Sequence, residues 1–418
     1  MTAYNCNVTS YLRNNIFKAN NLQKNEVFKI NNIQKSMILI NNTDYIKGNI
    51  TIQKGEEPAT TDITLDVKDK LPLDLSAGWD NQGRDLIGVQ RANIFLTDNN
   101  LTGFGDSLYG GVSLAQRTFG INSGYSLPIG PYGTELRLGY SNSSVNIGGS
   151  FEQLKIHGAS RMLSTTLSQP IFKGDKFNLT SNFSFDLSHS KTTMQEITEL
   201  QDYGLRVFRF GLNAVKEDNR GRWISGAQVS TGIPVCDAES KSKLGELSGK
   251  FVKFNTNIIR VQALPLNTTG IFRVSTQFSP NNLLSAEQMQ TGGSSTVRGF
   301  NEGLLIGDVG YNASAELIKT IPSLPDFSVP YWKNKSFRVN LKDRMQFAAF
   351  YDQGFARVLE KDTPATYANF LQGVGVGLRC QLSKYLTANI DVGLPLGRKR
   401  SENQNSVKLH FGLSSNLF

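Results

Sequence analysis

The sequence predicts an all-β transmembrane barrel with a small α+β unit in front of it. Three observations carry this. Period-two alternation recurs from residue 71 to the end of the chain, and the positions between its apolar residues are small and polar. The composition is also rich in Gly (39) and Phe (25) but poor in Pro (13), a balance that suits many strands better than helices.

Residues 1–27 are polar and Asn-rich, with little periodicity, and receive no secondary structure. Over 28–42, Phe28, Ile33, Met37 and Ile40 fall near helical spacing. Two strands are expected next, "YIKGNITIQ" at 45–53 and "DITLDVKD" at 62–69, around the turn-forming "KGEEPATT". A helix against an antiparallel pair makes residues 28–70 an α+β unit of about 45 residues, short for a complete domain.

From Leu71 the texture changes. "LPLDLSAGW" puts Leu71, Leu73, Leu75, Ala77 and Trp79 on one face and Pro72, Asp74, Ser76 and Gly78 on the other. "FNLTSNFSFDL" at 177–187 repeats the pattern, as do "ELRLGY", "SFRVNLK", "TANIDVGL" and "SVKLHFGL" further along. Alternation of this kind makes a sheet with one apolar and one polar face. In a soluble sandwich the apolar face fills a core, whereas in an outer-membrane barrel it meets lipid and the lumen is polar. The small polar inner set, strands near the ten residues that a tilted crossing needs, and the extent of 71–418 favour the membrane barrel. A mean hydropathy of -0.28 fits it, because alternating strands average out.

Several function classes are set aside. The net charge of +9 would permit nucleic-acid binding, but Lys and Arg are scattered and the densest cluster, "GRKR" at 397–400, falls in an expected hairpin turn. Cys6, Cys236 and Cys380 are widely spaced and give neither a zinc site nor a disulfide framework. His157, His189 and His410 are isolated and read as solvated or lumen-facing strand residues, so no metal is expected. "GVGVGL" at 373–378 lacks the Lys and following helix of a phosphate loop, and no Ser/His/Asp constellation is present. Neither a cofactor nor an enzymatic activity is expected, and Glu302, Asp308 and Glu316 receive no acid–base role. No apolar run reaches the length of a membrane helix, the longest being "MILI" at 37–40. The start shows no basic n-region followed by an apolar h-region, so no signal peptide is visible and either the protein stays inside the cell or this N-terminus is incomplete.

One stretch resists the strand reading. Residues 292–317, "GGSSTVRGFNEGLLIGDVGYNASAEL", hold a single arginine in a Gly- and Ser-rich setting. This stretch resembles the signature of the two-partner secretion translocators, the haemolysin-activator and filamentous-haemagglutinin transporters of the outer-membrane assembly-factor superfamily. The family's VRG(F/Y) tetrad is matched by Val297, Arg298, Gly299 and Phe300, and its FxDxG strand motif by Phe350, Asp352 and Gly354 in "FYDQG". The run "NITIQKGEEPATTDITLDVKDKLPLDLSAGWDNQG" resembles the end of a POTRA domain passing into the first barrel strand, with Lys54-Gly55 where the family often has Pro-Gly. "NLTGFGDSL" at 100–108 resembles an early hairpin, and the likeness covers roughly 45–418.

The resemblance implies sixteen antiparallel strands over 71–418, a partial POTRA domain over 28–70, and a loop around 292–310 that folds back into the lumen. It implies an outer-membrane pore of two-partner (type V) secretion, exporting a haemolysin- or adhesin-type exoprotein with an N-terminal secretion domain and driven by folding of the exported chain. The bilayer and the barrel-assembly machinery are its other partners. That machinery would read a final strand ending on Phe418, although Leu409, Phe411 and Leu413 share a parity that Phe418 does not. A barrel-insertion factor of the same superfamily and a plain porin are the competing readings.

A loop lying in a wide lumen needs an anchor, and Arg offers a permanently charged, planar fork of donors. If Phe347 and Tyr351 face lipid, Asp352 faces the lumen, so an Arg298–Asp352 pair is expected to pin the loop tip to the wall. Gly292, Gly293 and Gly299 would permit the tight turn. Asp308 and Gly310 match the family's Gly-Asp-x-Gly run and are expected to shape the loop's return.

Overall fold

The computed structural model describes residues 4–7, 46–55, 58 and 61–417, apart from 130–132, 196–197, 234–248, 322–326, 333–334, 340–343, 360–368 and 398–406. The expected helix at 28–42, the basic cluster at 398–400 and Phe418 lie outside the described residues. Ahead of the barrel, Ile46–Lys54 and Thr61–Asp69 pair antiparallel, Ile50 opposite Leu65. Tyr4–Asn7, in the segment given no structure, adds as a third strand parallel to Thr61–Asp69. Four residues carry too little alternation to announce a strand, and its partner lies far along the chain.

Sixteen strands then close into one antiparallel barrel. They are β1 (Leu73–Asp80), β2 (Arg91–Asp98), β3 (Ser107–Ala115), β4 (Thr118–Ile129), β5 (Thr134–Asn146) and β6 (Ile156–Lys173). Next come β7 (Phe177–Met194), β8 (Thr198–Asp218), β9 (Gly221–Gly232), β10 (Phe251–Leu264) and β11 (Thr268–Phe278). The last five are β12 (Val309–Thr320), β13 (Met345–Arg357), β14 (Phe370–Gln381), β15 (Leu386–Leu396) and β16 (Lys408–Asn416). β16 returns to β1, with Gly412 opposite Asp80 and Asn416 opposite Ser76. Closure leaves no strand edge unpaired, which is what a sheet in lipid requires.

Side-chain direction settles which face is inside. Phe183, Phe210, Phe254, Phe272, Leu317, Phe347, Tyr351, Ile390 and Leu409 are exposed on the outer surface. Ser230, Gln277, Asn312, Glu316, Asp352, Asp391 and His410 are buried on the inner one. An apolar exterior around a polar interior is the reverse of a soluble β-protein. On β13 the even positions Ala348, Phe350, Asp352, Gly354 and Ala356 all point inward, because successive residues of a strand alternate. Cys380 is a free thiol on β14.

Connections differ between the two rims. One rim carries 81–90, 147–155, 233–250, 279–308, 358–369 and 397–407. The other carries the short turns 99–106, 174–176, 219–220, 265–267 and 382–385, together with 321–344, which holds a hairpin of Phe327–Trp332 with Lys335–Val339. The chain enters β1 from the short-turn rim. Of these connections, 279–308 is the one that supplies the site.

Candidate lumenal site

The 279–308 segment leaves β11, makes a single 3-10 turn at Ser285–Glu287, and pairs Met289–Thr291 with Leu305–Gly307 to form a stem. Between the stem strands the chain doubles back. Gly292 and Gly293 take φ of +105° and +107°, and the Gly293 amide donates to the Val297 carbonyl at 3.1 Å. The Ser294 amide donates to a Glu302 carboxylate oxygen at 2.6 Å, and the Thr296 hydroxyl accepts the Gly292 amide at 2.9 Å. These bonds hold Val297, Arg298, Gly299 and Phe300 at the tip, and all four are buried.

Arg298 and Asp352 meet. Nε of Arg298 donates to Oδ2 of Asp352 at 2.7 Å and Nη2 to Oδ1 at 2.9 Å, the two-pronged geometry in which a guanidinium matches a carboxylate. The Arg298 backbone amide adds a third bond to Oδ2 at 3.1 Å. The guanidinium carbon lies 3.4 Å from the centre of the Phe350 ring, so its flat face is covered by an aromatic one. Arg298 is 5% exposed and Asp352 0%. Attraction between them is weakly screened there, and either alone would be a costly buried charge.

Four further charges belong to the site, and sequence reasoning missed them. Glu316 on β12 takes Arg298 Nη1 at 3.4 Å, Arg273 Nη1 at 3.1 Å and Arg379 Nη2 at 3.0 Å. Asp391 on β15 takes Arg379 Nη1 at 2.7 Å and lies 3.9 Å from Arg298 Nη1. Three guanidiniums and three carboxylates thus share one neutral network across β11 to β15. The available signal was a charged residue at the inward parity of an alternating strand, as in "ASAEL" and "NIDVGL". Parity names the face but not the partner.

Glycines make the seat. A Cβ on Gly373 of β14 would lie 2.0 Å from the Arg298 carbonyl oxygen, and one on Gly393 of β15 would lie 2.4 Å from the Gly299 nitrogen. The alternating "GVGVGL" is therefore a wall stripped of side chains where the tip lies. Gly375 leaves room for the Phe350 ring, and Gly354 for Val297 and Thr291. Gly299 itself takes φ of +99°, a conformation side chains rarely adopt. Val297 and Phe300 complete the contact by packing on Leu371 and Leu305.

The root of the segment is held separately. Glu287 binds Nη2 of Arg209 (β8) and Nζ of Lys253 (β10), both at 2.6 Å, and Arg209 is itself fixed by Asp186 of β7 at 2.6 Å. Leu283 and Leu284 pack on Tyr203, Leu205, Val207 and Phe251. Asp308 accepts from the Leu283 amide, Gln288 Nε2 and the Leu359 amide, at 2.9, 2.9 and 2.8 Å. It ties both ends of the segment to the neighbouring 358–369 connection. Gly310, opposite Ala356 and Gln277, is the second residue of the return strand β12. On the far side, Asn301 joins Asp85 at 2.7 Å and Lys408 at 2.8 Å.

The histidines are dispersed. His157 binds Asn146 and His189 binds Asp202, each at 2.8 Å, while His410 is buried on the inner face of β16. Among the described residues no group of His, Cys, Asp and Glu could hold a metal ion.

Comparison with known proteins gives concordant matches. The model of the family "Haemolysin secretion/activation protein ShlB/FhaC/HecB" matches residues 59–380. The "Heme/hemopexin transporter protein HuxB" of Haemophilus influenzae is 23% identical over 390 residues, spanning 90% of this chain and 65% of the relative. The "Outer membrane transporter CdiB" of Escherichia coli is 26% identical over 360 residues, or 83% of this chain and 58% of the relative. The solved structure "CdiB from Escherichia coli" superposes with a TM-score of 0.80 at 20% identity, covering 99% of this chain and 76% of that one. The chain thus spans about two thirds or less of the length of these curated relatives.

Proposed function

The chain belongs to the haemolysin secretion/activation protein (ShlB/FhaC/HecB) family, and from that premise we propose that it is an outer-membrane pore exporting a large partner exoprotein by two-partner secretion. The partner's unfolded chain would bind the small N-terminal sheet by adding a strand, cross the barrel and fold outside, with no nucleotide hydrolysed. The sheet at 46–69 is the end of the POTRA domain in this reading. Arg298 and Asp352 pin the loop tip, Val297 and Phe300 seat it, and Asp308 fixes its return. The named relatives are transporters, and the exoproteins they handle are a guide to the class of cargo only.

The observation that carries the proposal is the loop of 279–308, folded inward and held at its tip by Arg298 and at its root by Glu287. A general diffusion pore has no need of a plug tied by two buried ion-pair clusters. Partner entry would have to make room beside the loop or displace it, and either coupling would make the pore selective for its cargo.

The test is secretion from the cell that makes this chain. Deleting it should remove one large exoprotein from the medium, as read by mass spectrometry, and restoring it should return that protein. A medium unchanged by the deletion would overturn the proposal.

A further inference from the structure

The inner wall is not chemically uniform around the barrel. Polar contacts of the 279–308 segment fall on β8, β10 to β13, β15 and β16, and on the 81–90 connection through Arg84 and Asp85. On that arc the inward residues Gln277, Asn312, Glu316, Asp352, Asp391 and His410 are buried. The charges there, Arg209, Lys253, Arg273, Glu316, Asp352, Arg379 and Asp391, are all engaged in ion pairs.

The other arc is different. Asn93 of β2, Ser113 of β3, Asn122 of β4, Ser141 of β5, Ser164 of β6 and Ser184 of β7 point inward and stay partly exposed. The register makes them one band: Asn93 sits opposite Ser113, Asn122 opposite Ser141, and the Ser184 hydroxyl bonds Thr166 beside Ser164 at 2.9 Å. Gly111, Gly124 and Gly139 lie between them. Inward charges on these strands are paired or near the ends: Arg91 with Asp80 and Arg137 with Glu135 at strand ends, and Asp186 with Arg209.

Resting on the export reading above, we infer that the exported polypeptide travels along this neutral hydroxyl and amide arc of β2 to β7, past a loop that stays seated on β12 to β15. An extended chain presents a donor and an acceptor at nearly every residue. Ser hydroxyls and Asn amides supply both roles and rotate to suit, so they solvate any sequence. The net gain per such bond is small, which lets the chain move on. An arc of unpaired charges would instead hold some segments and repel others. The arc beneath the loop is buried and its charges are ion-paired, so a moving chain reaches them only by unseating the loop or breaking the network.

The test uses the full chain with Cys6, Cys236 and Cys380 replaced by Ser, reconstituted as a pore in a planar bilayer. The probe is an unfolded Gly/Ser-repeat peptide that interrupts the ion current. Single variants S113C, S141C and S164C are compared with N257C and S275C, which line a cavity of about 400 Å3 beside the loop tip on β10 and β11. Each is treated with an anionic methanethiosulfonate reagent. Labelling S113C, S141C or S164C should lower the frequency of peptide interruptions severalfold, while labelling N257C or S275C leaves it unchanged. The opposite pattern would place the path beside the loop tip and overturn the inference while leaving the export reading intact. A pore that the peptide never enters, before any labelling, would sink both.

Discussion

Arg298 faces three carboxylates, and the difference between them decides what its removal does. Glu316 and Asp391 keep Arg273 and Arg379 as partners, but among the described residues Asp352 pairs only with Arg298. Replacing Arg298 by Ala should therefore strand Asp352 as a buried charge, at a cost of about 3–5 kcal/mol against the seated loop. The expected readout is new protease cleavage within 279–308 of an otherwise folded barrel. Exchanging the charges, Arg298→Asp with Asp352→Arg, should restore little, because the new carboxylate would face Glu316 and Asp391. Full protection in the exchanged protein would refute the network as described. A second residue sets a pH response at the short-turn rim. Burial alone would raise the Asp106 carboxyl, but bonds from the Thr102 hydroxyl and amide and the Tyr125 hydroxyl outweigh it and lower its pKa below the ordinary 3.8. A lowered folded value stabilises the 99–106 turn at pH above 3.8, and that contribution is lost as pH falls through the folded value. The protection factor of the Thr102 amide, its exchange rate corrected for the intrinsic pH dependence, should fall in acid, and Asp106→Asn should flatten that response.

Strands β14 and β15 serve the site by what they lack. Any side chain at Gly373 or Gly393 occupies the space of the loop backbone, since both near contacts are main-chain atoms that cannot swing aside. Gly393→Ala should consequently unseat the tip while leaving barrel pairing intact, and Gly373→Ala should do the same. Loop cleavage by protease with unchanged heat-modifiable mobility on a gel is the expected pair of results. Unaltered cleavage in both variants would mean that the wall yields, against the close approach seen here. The loop stem is too short to stand alone, with three residues in each strand, so its stability comes from Asp308, Glu287 and the Val297–Phe300 contact with the wall.

For the whole molecule the governing fact is an apolar exterior closed around a polar interior. A charge on the outer face must be carried into lipid, whereas one on the inner face meets water or a partner. Phe272→Lys, at mid-strand on the outside of β11, should destabilise the membrane-inserted barrel by about 2–4 kcal/mol. Ser275→Lys, on the same strand but inward, should cost much less. Denaturant titration of barrels in vesicles checks both, and equal effects would deny the assigned faces. The strand faces were legible in the sequence because alternation is local: "FNLTSNFSFDL" shows its two faces without reference to any neighbour. The pairing of Arg298 with Asp352 was reachable too, through two motifs and the parity of Asp352. The small strand Tyr4–Asn7 was not legible, since the strand it pairs with is parallel and distant in sequence. Nor were Glu316, Arg273, Arg379 and Asp391, whose inward parity was visible but whose convergence depends on strands brought together by closure. Alternation and turn chemistry, being properties of neighbouring residues, determined by themselves that the chain forms a barrel with a polar lumen. Only the tertiary structure decided which strands besides that of Asp352 the loop covers and which wall stays open, because shear and closure set which inward residues share a level.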